Sequence, residues 1–294
     1  MSEKYVVRRG ETSDGDFELV VTPESAGWGY SSLRVLELAP GGTAEFDTGP
    51  DEMVLLPLSG GATVSCDGEK FELTGRGSVF SRVTDFVYLP MSSRAQVSSV
   101  DGGRFALPAA RATRRLPARY GPAEGVGVEL RGAGQASRQV NNFCTPETFE
   151  ADKLIAVEVL TPAGNWSSYP PHKHDQARDG EAELEEIYYF EVGSGPAGDG
   201  IGYQRVYGSG PGREIDVCTE VRGGDTVLIP HGWHGPSMAA PGYPLYYLNV
   251  MAGPSPDRAW LICDDPAHGW VRDTWAGQAL DSRLPLTSTS ELPT

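Results

Sequence analysis

Short apolar runs broken by turn-forming residues make up most of the chain. In the first half, 32–38 (SLRVLEL) and 53–58 (MVLLPL) read as strands, with APGGTAEFDTGPD between them as loop. Residues 62–66 (ATVSC) and 69–73 (EKFEL) flank Asp67-Gly68, a dipeptide suited to the positive-φ positions of a tight hairpin. Residues 79–90 (VFSRVTDFVYLP) add further strand, ending at a proline. The second half repeats the pattern, with strands expected at 154–160, 186–192, 201–207, 226–229 and 244–251. Between the halves, 108–127 shifts to Pro, Ala, Arg and Gly and reads as a linker. The polar, proline-bearing stretch 276–294 reads as a surface-hugging or frayed end.

The two halves align with each other. Glu52-MVLLPLSGG lies over Glu186-IYYFEVGSG, and the approach to Tyr88-Leu89-Pro90 lies over the approach to Ile229-Pro230. A repeat of about 135 residues, each unit built of strands, predicts two similar β-barrels or sandwiches. The expected units are 1–125 and 126–294.

Composition narrows the function classes. The chain has 294 residues with 37 Gly and 23 Pro, a turn-rich makeup that fits an all-β protein. The net charge of −16 argues against nucleic acid and anionic membrane surfaces as partners, since both require a basic face. No apolar run reaches the roughly 18 residues of a membrane span, and MSEKYVVRRG lacks a signal-peptide core, so a cytoplasmic location is expected. Cys66, Cys144, Cys218 and Cys263 form no CxxC pair and are expected to be free thiols. Exposed sheet edges make a homo-oligomer plausible.

The chemistry is concentrated in the histidines. Four of the five lie in two clusters, YPPHKHD and PHGWH. Residues two apart on a strand share a face, so His172 and His174 can point into a barrel together while Lys173 points out. His234, just beyond a strand of the same half, can return to that pocket as a third ligand. Imidazole plus carboxylate ligation with open positions suits one divalent metal, with Zn or Mn expected and Fe or Ni as alternatives. The segment ELEEIYYFEVGSG offers Glu183, Glu185 and Glu186. Cupins pair an HxH with a later glutamate that is followed, after six intervening residues, by glycine. Glu186 with Gly193 has that spacing, and Glu185, of opposite parity, is the alternative. The first half has no histidine in its equivalent segments and is expected to be a degenerate barrel that binds no metal. Further polar candidates are Gln204 or Arg205, one of them facing inward, and Tyr247 with Asn249. Arg205 is a candidate partner for a substrate carboxylate. His231 and His268 are not assigned as ligands: His231 is a candidate for supporting the ligands from behind, and His268 for a structural role.

The strings NWSSYPPHKHD, LEEIYYF, YQRVYG and YYLNVMAGP resemble the 5-deoxy-glucuronate isomerase family of myo-inositol breakdown, which is related to the 4-deoxy-L-threo-5-hexosulose-uronate ketol-isomerases. The likeness covers about Leu154 to Trp270 strongly and the remainder weakly. It implies a bicupin, with ligands mapping to His172, His174, Glu186 and His234. It implies an isomerase that interconverts 5-deoxy-D-glucuronate and 2-deoxy-5-keto-D-gluconate. A small anionic sugar acid is then the partner. Three departures from the general cupin pattern stand out. Eleven residues separate His174 from Glu186, the glycine before the HxH is Gly164, and the second motif is PxGxH. Candidates for moving the carbon-bound proton are Glu185, Glu183 and Tyr247, and a hydride shift needs no base. A cupin dioxygenase and a non-catalytic sugar-binding cupin are the competing functions.

Overall fold

Strand alternation sorts the apolar side chains into three layers, and this organises the molecule. The computed structural model describes residues 3–290. In the first half, the strands Phe17–Val21, Ser31–Leu38, Gly103–Arg111, Asp51–Cys66, Phe86–Leu89 and Arg119–Gly121 lie side by side. The distal part of Asp51–Cys66 crosses into a second face with Glu69–Arg76, Arg94–Ser98 and Thr43–Asp47. Met53, Leu55, Val64, Val87, Val97 and Leu107 fill the space between these faces.

The second half has the same plan. A large sheet runs Thr226–Ile229, Glu185–Val192, Leu245–Ala252, Ile155–Thr161, Arg138–Cys144 and Gly127–Arg131. It faces a four-stranded sheet of Trp166–Ser167, Ser237–Ala239, Gly202–Tyr207 and Asp216–Val221. Val157, Val159, Tyr188, Phe190, Val206, Val227 and Tyr247 lie inside. The alternate residues of the same strands, among them Ile187, Tyr189, Tyr246, Leu248 and Val250, join Leu33, Val35, Val54, Leu56 and Tyr88 of the first half in a third layer. The two large sheets are thus apolar on both faces and pack back to back. The all-β double barrel expected from the sequence is the fold observed.

Several boundaries differ from expectation. Residues 53–58 and 62–66 form one continuous strand. Strand within 79–90 is confined to Phe86–Leu89, because Ser78 and Ser81 form a turn before it. Residues 108–111 are strand, so the irregular connection is shorter than the composition suggested. Asp67 (φ 54°) and Gly68 (φ 83°) make the two-residue hairpin turn as expected. Both ends of the described chain cross over. Val6–Val7 pairs with Thr226–Ile229, and Gln139 binds Leu286 and Thr287, with Thr287 fully buried. The tail is therefore anchored as far as Thr287, while 291–294 lie outside the described residues.

Polar groups within the middle layer are paired across it. Arg76 of the first barrel and Glu158 of the second form a buried ion pair, and Tyr246 and Asn141 donate to the same carboxylate at 2.9 and 3.1 Å. Glu52 accepts from the backbone N–H groups of Asp152, Lys153 and Leu154, and Glu185 accepts from those of Gly29, Tyr30 and Ser31. Ser31 lies opposite Ala110, which lies opposite Glu52; Glu185 lies opposite Ala252. The repeat therefore superposes Glu52 on Glu185, one residue away from the alignment read in the sequence. Met53 is then the counterpart of Glu186.

Candidate metal centre in the second barrel

Two local features build the site. The first is a backbone bridge in which His172 N donates to His234 O at 2.9 Å and His234 N donates to His172 O at 2.8 Å. It holds the two histidines opposite each other. The second is glycine at the turns beside His234. Gly232 (φ 101°) would bring a Cβ to 2.7 Å from the Tyr207 carbonyl, and Gly235 (φ 111°) would bring one to 2.8 Å from the His172 ring. A side chain at either position would push the loop off the site.

His174 Nε2 lies 3.0 Å from Glu186 Oε2 and 3.1 Å from His234 Nε2, and His234 Nε2 lies 2.9 Å from the same carboxylate oxygen. His172 joins them, and one ligand atom from each histidine lies within 4.8 Å of the others. All four side chains are buried. His174 Nδ1 faces the Leu184 carbonyl at 3.1 Å and His234 Nδ1 faces the Gly232 carbonyl at 2.8 Å. Those carbonyls only accept, so each Nδ1 carries a proton, and each Nε2 is left facing the other ring and Glu186. Imidazole nitrogens and a carboxylate converging in one buried space suit a cation between them. The donor set therefore fits a divalent metal. Burial opposes the Glu186 charge, but the close contacts with His174 and His234 hold its pKa well below the usual carboxylate range. Burial, and then proximity to His234, pushes His172 well below the usual imidazole range.

The remaining predicted residues divide by strand parity. Glu186, Tyr188 and Phe190 face the barrel interior, whereas Glu185 faces the first barrel and spends both oxygens on Gly29–Ser31. As a base it is misplaced. Gln204 is the inward member of its pair and fully buried. Arg205 is on the outer face, paired with Asp216 and lying over the Tyr207 ring, so it does not read a substrate from the interior. Tyr247 is inward and buried, with its hydroxyl 2.7 Å from Ser168 Oγ and donating to Ser167 Oγ at 3.0 Å. Burial raises its pKa, opposed by the serine hydrogen bonds. The amide nitrogens of Gln204 and Asn249 are buried with no hydrogen-bond partner among the described residues. Lys173 turns away from the histidines as expected, yet it is not in solvent. Its ammonium lies 2.6 Å from both Asp175 and Glu181, inside the hairpin formed by Asp175–Arg178 and Glu181–Glu183. His231 and His268 stand outside the cluster.

The sequence reading passed over Arg138. It is buried on the interior side of its strand, two residues before Val140. The period-two pattern of 138–144 was the available signal.

Comparison with known proteins places this architecture. A 5-deoxy-glucuronate isomerase of Geobacillus kaustophilus (strain HTA426) is 45% identical over 257 residues, 86% of this chain and 90% of that protein. One from Bacillus subtilis (strain 168) is 39% identical over 254 residues, 85% and 91% of the two chains. The crystal structure of an IolB-like protein from Salmonella typhimurium LT2 superposes with a TM-score of 0.83 at 34% identity, covering 91% of this chain and 98% of that one. An oxalate decarboxylase of Lactobacillus farciminis, at 13% identity and a TM-score of 0.59 over 88% of each chain, shares the cupin fold alone. The KduI/IolB family model matches residues 5–271, and the chain belongs to that family.

Proposed function

We propose that this chain is a metal-dependent aldose–ketose isomerase that converts 5-deoxy-D-glucuronate to 2-deoxy-5-keto-D-gluconate in myo-inositol catabolism. The observation that carries the reading is the convergence of His172, His174, His234 and Glu186 with both pinned rings offering Nε2. The relatives named 5-deoxy-glucuronate isomerase give the substrate. Those four residues hold one divalent ion, Zn or Mn, with Fe or Ni as alternatives. When bound, the ion supplies Lewis acidity to the substrate's carbonyl and neighbouring hydroxyl oxygens. A cytoplasmic, homo-oligomeric enzyme is part of the same reading.

The chain's own groups do the rest. Gln204 and Asn249 present unpaired amide N–H groups that suit sugar oxygens. Tyr247, kept neutral by burial, offers a phenolic proton to a substrate oxygen. Of the described buried carboxylates on the second barrel's strands, Glu158 is engaged by Arg76 and Asp175 and Glu181 by Lys173, which leaves Glu186, and the metal reading already uses it. That favours the route without a base, in which hydrogen moves with its electron pair from the hydroxyl-bearing carbon to the carbonyl carbon and a proton passes between the oxygens. Substrate deuterated at the migrating position tests this. Full retention in product is expected, and wash-out to solvent would establish a base. Turnover of 5-deoxy-D-glucuronate by the purified, metal-analysed chain tests the function. Oxygen uptake would point to a dioxygenase, and bound metal without turnover of any uronate to a binding protein.

A further inference from the structure

Arg138 is 7% exposed, yet no carboxylate pairs with it among the described residues. Its hydrogen bond is to the Ala136 carbonyl at 3.3 Å. The contrast with Arg76 is direct, since that equally buried guanidinium is paired with Glu158. Burial draws the Arg138 pKa down to about 10, with Arg131 and Arg272 adding to the effect and Tyr247 and, more weakly, Glu129 opposing it. The group still remains cationic at neutral pH. Arg131 is opposite Arg138 in the sheet and is engaged by Glu129, and Arg272 is engaged by Asp264. A buried positive charge without an anion is costly to keep for the fold alone.

Arg138 shares the interior face with Val140, which lies opposite Val159 and, across that strand, in line with Tyr247. The guanidinium lowers that phenol's pKa, while Glu186 acts on it in the opposite sense. The guanidinium lies 6.0 Å from the centre of the Trp275 ring. Ala136 and Trp275 both line a cleft of about 350 Å³ whose other walls include Trp166 and Tyr169, the latter three residues before His172. We infer that Arg138 is the group that binds the substrate's carboxylate, with its planar fork taking the two oxygens while the other end of the sugar meets the histidine cluster. The inference rests on the isomerase reading and gives it a specificity determinant in place of Arg205.

The test compares wild type with R138K and R138M on 5-deoxy-D-glucuronate and on its uncharged 6-amide. R138M should raise KM for the acid by about 100-fold. The loss on the amide should be at least about tenfold smaller than on the acid and metal content unchanged, because the amide forfeits a neutral hydrogen bond and not the ionic contact. R138K, retaining charge without the fork, should fall between. The melting temperature of R138M should equal or exceed wild type, since an unpaired buried charge has been removed. Equal losses on acid and amide, or an unchanged KM for the acid, would overturn the assignment. If wild type turns over neither compound, the isomerase reading is what has failed. Calorimetric binding of D-glucuronate to wild type and R138M then decides the matter: loss in the variant supports a carboxylate site, and equal binding refutes it.

Discussion

At the scale of single residues, one step of strand parity separates a metal ligand from a structural anchor. Glu186 and Glu185 are neighbours with the same chemistry, and the pleat sends one to the histidines and the other to the first barrel. His174→Ala should therefore abolish bound metal and turnover while the circular dichroism spectrum is kept. Glu186→Gln should weaken metal binding by more than the roughly 10–100-fold typical of outer-shell changes, measured by chelator competition. Retained turnover in a metal-free H174A protein would defeat the proposed chemistry. The histidines were legible because an HxH and a PHGWH are rare strings whose spacing has geometric meaning. Gln204 against Arg205 was half legible: alternation says that one faces in, and which one depends on pairing with Asp216–Val221 and Ser237–Ala239. Arg138 was legible at most as an alternating strand position, because its meaning lies in a partner that is missing, and only three-dimensional packing reveals that.

Among the elements, the eleven-residue interval between His174 and Glu186 becomes a hairpin with its own buried charge cluster. Lys173, Asp175 and Glu181 are locked together, with Arg178 and Cys263 at the edge. One path from the cluster to the histidine site runs through Gly232. Asp175 Oδ2 accepts from Gly232 N–H at 3.0 Å and from Ser209 at 2.7 Å, and the Gly232 carbonyl fixes the His234 ring at 2.8 Å. Asp175→Asn replaces one acceptor with an amide and removes the charge facing Lys173. Metal affinity should fall about 10–100-fold without loss of any ligand side chain. Titration of the apo protein with the metal checks this. An unchanged dissociation constant would show that the hairpin is a cover without influence on the site. The hairpin's length was plain in the sequence, but its inward charges were not, since DQARDGEAELE reads as a solvated polar loop.

For the whole molecule, the same strands that aim Glu186 and Tyr188 into the second barrel bury their other face against the first, so the site's geometry depends on the barrel-to-barrel contact. That contact is apolar apart from a few satisfied polar groups. Two of these, Glu52 and Glu185, are equivalent positions of the repeat, and each captures three consecutive backbone N–H groups of the opposite barrel. An internal pseudo-twofold relation follows, in which each barrel supplies one carboxylate and one backbone cradle. Replacing Glu185 by Gln puts an amide NH₂ where an acceptor is required. With charge-assisted bonds worth about 1.5–3 kcal/mol each and a donor left facing donors, the loss should be about 2–4 kcal/mol. For a chain of this size that corresponds to a melting temperature lower by roughly 4–12 °C. Glu52→Gln should destabilise at least as much, because its carboxylate holds the equivalent backbone cradle and also accepts from the Tyr88 hydroxyl at 2.6 Å. Metal content and kcat of E185Q below its transition should stay near wild type, since the residue turns away from the histidines. A variant that melts normally but has lost kcat by orders of magnitude would restore Glu185 as the base and would require the strand to be read in the other parity.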